Sequence, residues 1–167
     1  MSLHTAYTAG PWIFSPKCAE IGTGLVDLCR KHGLVAVLPY DGEKENDDAA
    51  GTIYRHNLDR IERSDCVVAD LSPFRGPHMD VGTAFEIGYA AALKKPVFGY
   101  SCSPRPLIER IWCEETPTGW RDAHGKLVEN FDMLENLMIG RALAASVSAS
   151  PDQAFALAAA YFANSGE

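Results

Sequence analysis

Cys66-Val67-Val68-Ala69 is an apolar run without polar alternation, lying between two stretches of helical spacing. A strand with one wet face alternates apolar and polar residues, whereas a strand covered on both faces has no such need. The run therefore belongs inside a parallel sheet, and the chain around it repeats the theme. Residues 5–9 read as a first strand, stopped by Gly10-Pro11. Ser15-Pro16 offers an N-cap and first-turn proline for a helix over 15–32, with Gly33 at its C′ position. Residues 34–38 form a second apolar run ended by Pro39, and 40–48 are too polar for a core element. Helical spacing returns over 50–64 through Ile53, Leu58 and Ile61.

Beyond the central run, a Pro/Gly-rich loop over 72–78 leads into a helix over 81–95 and a fourth strand over 96–100. Helices over 104–112 and 131–145 flank a polar, glycine-containing excursion, and 151–164 forms a last helix. Strand and helix alternate throughout. The expected fold is α/β, a flavodoxin-like doubly wound parallel sheet flanked by helices, with residues 1–167 as a single domain. Such sheets bind ligands at the carboxyl ends of their strands, here the segments after Tyr7, Leu38, Asp70 and Tyr100.

The 167 residues suit one core, and a net charge of −7 opposes a nucleic-acid polymer as partner. No apolar run approaches a membrane span, so a cytoplasmic location without membrane contact is expected. Five scattered cysteines form no C-x-x-C pair and no zinc-spaced cluster, which suits buried thiols in a reducing compartment. Neither a P-loop nor a Gly-x-Gly-x-x-Gly turn is present, and no metal or cofactor is expected.

The chemistry concentrates in Asp80-Val81-Gly82-Thr83-Ala84-Phe85-Glu86-Ile87-Gly88-Tyr89. At helical spacing Gly82, Glu86, Tyr89 and Leu93 share one stripe, which places a carboxylate in a largely apolar helix. Either Glu86 turns to solvent or a basic partner, or it faces a pocket that Gly82 and Gly88 leave open. Asp80 is suited to cap the same helix, and a second carboxylate near Glu86 would separate their proton affinities. Paired carboxylates serve glycosidic chemistry, one at the anomeric carbon and one in proton transfer. Tyr7 ends the first strand, either as core or with its hydroxyl orienting a carboxylate. Trp12 and Phe14, in the loop begun by Gly10, are either a hydrophobic plug or a stacking surface for a planar base.

Four stretches together resemble the nucleoside 2-deoxyribosyltransferase family: Tyr7-Thr8-Ala9-Gly10-Pro11-Trp12, residues 57–71, the block from Asp80 to Tyr89, and Asn136-Leu137-Met138. The resemblance spans about residues 5–139, and order and spacing carry it more than any single piece. It implies a retaining double displacement between deoxynucleosides and free nucleobases. Glu86 would be the nucleophile, Asp80 the acidic residue assisting proton traffic to the base, and Tyr7 the hydrogen-bonding partner of Glu86. Gly10, Trp12, Phe14 and Gly82 would line the substrate, and Asp41 would read the base edge. Asn136 and Met138 match a segment that enters a neighbouring subunit's site. That implies a homo-oligomer built from dimers, up to a hexamer, with helices from about residue 131 at the interface.

One departure stands out: some members carry an Asp where this chain has Asn57, which cannot exchange a proton and is assigned only to hydrogen bonding. The 73–77 loop is either a lid, with Arg75 contacting ligand, or plain surface. Two other functions fit the same residues. A hydrolase of nucleosides or nucleoside 5′-monophosphates would use Glu86 with water as acceptor. It resembles the cytokinin-activating phosphoribohydrolases, but here Asp80 stands where a phosphate would be repelled. A non-catalytic nucleotide-sensing module would bind without turnover and without need of the Glu86 carboxylate.

Overall fold

The computed structural model describes residues 3–39 and 48–165. Four parallel strands form the sheet: β1 (Thr5–Ala9), β2 (Val35–Val37), β3 (Cys66–Asp70) and β4 (Val97–Tyr100), in the order β2-β1-β3-β4. β3 is central, and its first four residues are buried, as an unalternated apolar run requires. Beyond β4 the position of a fifth strand is marked by Ser148, whose backbone bonds to Gly99 and Ser101 at 2.9 Å. This is the flavodoxin-like arrangement expected from the sequence.

Alternate residues of each strand enter opposite layers. Ala6, Cys66, Val68 and Phe98 pack with α1 (Cys18–Lys31) and the last helix, α6 (Pro151–Ser165). Tyr7, Ala9, Val67, Ala69 and Val97 face Ile61 of α2 (Ala49–Arg63) and Ile87 and Ala90 of α3 (Val81–Ala92). Cys29 and Cys66 lie in the first layer, where burial pushes their thiols up to about 11 and about 12. They are packing residues, not nucleophiles.

Four expected elements differ in detail: the helix expected over 104–112 is only the single turn Leu107–Arg110, since Pro106 before it and Ile111 after it are extended, and three others change as follows. α1 begins at Cys18, because Pro11–Phe14 forms a short 3-10 helix and the Ser15 hydroxyl accepts from Lys17 N in the turn that follows. The excursion after α4 (Leu107–Arg110) is an antiparallel hairpin, β5 (Cys113–Thr116) with β6 (Gly119–Asp122), its turn relying on Gly119 at φ 107°. The helix expected over 131–145 shortens to α5 (Leu137–Ala142), since Asp132 adopts φ 54° and the backbone there leaves the helical path. Among the described residues no helix is long and apolar enough to cross a membrane.

Candidate active site

Asp80 starts the site. Extended at φ −63°, ψ 133°, it caps α3 by accepting from Thr83 N at 2.9 Å and Thr83 Oγ1 at 3.0 Å, both on Oδ2. Thr83, Ile87 and Ala90 then turn into the core, and Glu86 sits on the edge of that stripe, half-buried and level with β1. Across from it, Tyr7 is completely buried, and its hydroxyl donates to Glu86 Oε1 at 2.5 Å. An O–H donor to a carboxylate at that distance is a charge-assisted bond.

Burial is the main force on both groups. It drives the Tyr7 phenol far above its ordinary range, reinforced by the Glu86 charge and the shared hydrogen bond, while the Arg60 cation pulls the other way. It lifts the Glu86 carboxyl to about 7; the Tyr7 bond opposes the rise and the Asp80 charge adds to it. A carboxylate poised near neutrality is ionised often enough to act and is not fully quenched by solvation. Gly82 serves Asp80 directly, since a Cβ there would stand 3.1 Å from Asp80 Oδ2.

The loop after β1 divides its aromatic residues. At Gly10 a Cβ would meet Trp12 Cδ1 at 2.8 Å and Asp70 Cβ at 2.9 Å, so only glycine permits this crossing. The Trp12 indole lies over Gly22 of α1, on the layer opposite Glu86, with its Nε1 buried and unbonded. Phe14 stays exposed and stacks on Phe74 with centroids 5.5 Å apart, while the Arg75 guanidinium lies 4.7 Å from the Phe74 ring and 5.4 Å from the Phe14 ring. The 73–77 loop is thereby latched to the first loop. Arg75 holds φ 55°, a conformation uncommon for a residue with a side chain.

Two cavities open at this end of the sheet. One, of about 350 Å³, is lined by Trp12, Ile13, Gly22, Leu38, Pro39 and Arg60 among others. The other, of about 280 Å³, runs from Phe74 to Val81 and reaches Asp80. Asn57 is half-buried on α2, one turn before Arg60. Asp41 lies outside the described residues.

Asn136 and Met138 stand apart from this cluster. Asn136 caps α5, with Oδ1 accepting from Met138 N at 3.0 Å and Nδ2 donating to Glu129 Oε1 at 2.7 Å. None of these bonds reaches Tyr7, Asp80 or Glu86 of the same chain. Met138 is 72% exposed.

Sequence reading overlooked two features. Arg60 reaches from α2 to the end of β2, where Nη1 donates to Leu38 O at 2.5 Å. Glu135, buried, accepts from Arg110 Nη2 at 3.1 Å and Met79 N at 2.9 Å, with His78 Nδ1 at 3.2 Å. That knot fixes the approach to Asp80 from one side and to Asn136 from the other. The only sequence signal was position: Glu135 adjoins Asn136, and Arg60 follows Asn57 by one helical turn.

Two neighbouring carboxylates at the carboxyl end of a parallel α/β sheet, one of them near neutrality, form an arrangement chemically able to serve glycosidic-bond cleavage. Comparison with known proteins carries this further. Residues 6–138 match the family model of nucleoside 2-deoxyribosyltransferases. A 2-desoxiribosyltransferase from Leishmania mexicana superposes with a TM-score of 0.80 at 36% identity, covering 95% of this chain and 98% of that one. The 2-deoxyribosyltransferase of Bacillus psychrosaccharolyticus shares the fold at a TM-score of 0.58 and 19% identity, covering 89% of this chain and 88% of that one. An uncharacterized protein of Schizosaccharomyces pombe is 30% identical, with 79% of this chain and 73% of that protein aligned. The chain belongs to the nucleoside 2-deoxyribosyltransferase family, which are glycosyltransferases acting on deoxynucleosides.

Proposed function

We propose that the chain moves 2-deoxyribose between purine and pyrimidine bases through a covalent glycosyl-Glu86 intermediate, with retention at C1′. The observation that carries this reading is the Tyr7–Glu86 pair: Tyr7 holds Oε1, which leaves Oε2 to face the sugar. Oε2 attacks C1′ as the C1′–N bond breaks and its electron pair passes to the departing base. A second base nitrogen then attacks C1′ from the opposite side, releases the Glu86 carboxylate and restores the configuration. Ionised Glu86 is the reactive form, and the Tyr7 hydrogen bond fixes its orientation. Asp80, whose Oδ2 serves Thr83, contacts the substrate through Oδ1 and assists proton traffic to the base.

Gly10 and Trp12 shape the first loop, Phe14 with Phe74 and Arg75 covers the opening, and Gly82 leaves room beside Asp80. Asn57 contributes hydrogen bonding alone. The active unit is a homo-oligomer in which Asn136 and Met138 complete a neighbour's site; supporting this, Met138 projects into solvent and Asn136 makes no bond to its own chain's cluster. Incubation with 2′-deoxyinosine and free adenine, resolved by chromatography, should yield hypoxanthine and 2′-deoxyadenosine together. Sugar release at a rate indifferent to added base would instead assign the site to hydrolysis.

A further inference from the structure

We propose that the buried Arg110–Glu135 pair is a positioning device for two active sites, setting Asp80 in its own chain and Asn136 where that residue enters a neighbour's site. The inference rests on the shared-site transfer reading above and adds residues that lie outside the four family-like stretches. The pair joins segments distant in sequence. Arg110 Nη1 donates to Pro77 O at 2.5 Å, and Nη2 donates to Glu135 Oε1 at 3.1 Å. The same Oε1 accepts from Met79 N at 2.9 Å, and Oε2 meets His78 Nδ1 at 3.2 Å. Residues 77, 78 and 79 are held one after another, and the next residue is Asp80. On the other side, Glu135 immediately precedes Asn136. That segment is tied before and after as well: Met133 O accepts from Leu107 N at 2.8 Å, and Glu129 accepts from Asn136 Nδ2 at 2.7 Å and Leu137 N at 3.0 Å.

Stability alone does not account for such a pair. Both side chains are almost completely buried, Arg110 at 3% and Glu135 at 2% exposure. Taking two charges out of water offsets much of their attraction, and apolar side chains of like volume often hold a fold as well. Arg110 Nε is also buried without a hydrogen-bond partner, a further cost. What the pair supplies is direction. Two carboxylate oxygens and a planar guanidinium fork fix the spacing between residues 77–79 and 135 as apolar contact does not. Both sites depend on that spacing. Asp80 is extended and its Oδ2 serves Thr83, so the place of Oδ1 follows the backbone arriving from Met79. Asn136 caps α5, so its place follows the backbone leaving Glu135. A misplacement of about 1 Å can cost on the order of a hundredfold in rate. Displacing Asp80 slows proton traffic, whereas Asn136 carries a neutral amide, and displacing it weakens substrate binding.

The test dilutes a trace of live chain into an excess of Glu86→Ala chain under demonstrated subunit exchange. Nearly every live site then borrows Asn136 from an inactive neighbour, and kcat and KM are read per live chain. Glu135→Asp keeps the charge and withdraws the carboxylate by one methylene. Placed in the live chain, it should lower kcat about tenfold or more with little change in KM. Placed in the excess chain beside Glu86→Ala, it should raise KM several-fold, the scale of one hydrogen bond, with little change in kcat. Glu135→Gln keeps the reach and the acceptor for Met79 N but leaves Arg110 without its counter-charge. It should lower stability to urea more than Glu135→Asp does, and yet recover most of the activity in both placements. If activity instead tracks stability across the two variants, or if either placement of Glu135→Asp leaves kcat and KM unchanged, the proposal is overturned. Should Glu135→Asp not fold, Arg110→Lys takes its place; it keeps the charge, loses the fork that spans Pro77 and Glu135, and carries the same two expectations. Failure of the underlying reading shows separately. A wild-type protein without transfer, or an excess Glu86→Ala/Asn136→Ala chain that leaves the trace activity intact, removes the shared-site reading and this proposal with it.

Discussion

Replacing Glu86 by Gln should remove transfer and yet stabilise the protein, with a sign and size that depend on pH. Burial lifts the carboxyl from its ordinary 4.5 to about 7, so the folded protein holds this proton more tightly than the unfolded chain does. Stability from that proton is complete below about 4.5 and is lost as pH rises through about 7. At about 1.4 kcal/mol per pH unit, the gap corresponds to a cost of about 3 kcal/mol for keeping the ionised carboxylate folded at pH 8.5. At pH 5 the same linkage leaves less than about 1 kcal/mol. Gln is neutral at both, and its carbonyl still accepts from Tyr7. The Glu86→Gln protein should therefore melt roughly 6–12 °C higher than wild type at pH 8.5, and only slightly higher at pH 5. Urea titrations at both pH values, with unchanged m, measure the difference. Equal stability at pH 8.5, or a gain that does not shrink at pH 5, would refute the burial argument for Glu86.

Three more outcomes follow from the same geometry. Because ionised Glu86 attacks, kcat/KM should fall tenfold per pH unit on the acid side, with a limb near the carboxyl's value of about 7; a flat profile down to pH 5 would contradict it. Glu135→Ala strands Arg110 as a buried, uncompensated charge and should destabilise by about 3–5 kcal/mol, read by urea denaturation, against a threshold near 1 kcal/mol below which the knot is unimportant. Mixing individually inactive Glu86→Ala and Asn136→Ala proteins under subunit exchange should restore roughly a quarter of the sites in a two-fold pair, and no recovery despite exchange would place Asn136 in its own chain's site.

Local chemistry was legible in the sequence, and contacts between distant segments were not. The unalternated Cys66-Val67-Val68-Ala69 run placed a buried central strand, and β3 occupies it. Asp80 was read as a cap and is one, because capping needs only the three residues that follow. The Tyr7–Glu86 bond joins residues 79 apart and came from family resemblance rather than spacing. Where signals were ambiguous, tertiary structure decided. Ser15-Pro16 looked like a helix start, but the 3-10 turn before it shifted the helix to Cys18. Residues 131–136 carry apolar side chains at helical spacing, yet Glu135 is drawn to Arg110 and Met79, and Asp132 takes a left-handed conformation. Trp12 was offered as a plug or a stacking surface; the structure packs it on Gly22, a choice between layers that no periodicity encodes.

The most direct test of the account is the intact mass of the protein after incubation with a slow 2′-fluorinated 2′-deoxynucleoside. Fluorine beside C1′ slows both displacements, and a good leaving base lets the first outrun the second. The mass should rise by one fluorinated deoxyribosyl group per chain, the added mass should map to the peptide carrying Glu86, and free acceptor base should discharge it. The Glu86→Gln protein should gain nothing. An unmodified wild-type protein that nevertheless turns the substrate over, or a sugar attached elsewhere, would contradict a glycosyl-Glu86 intermediate.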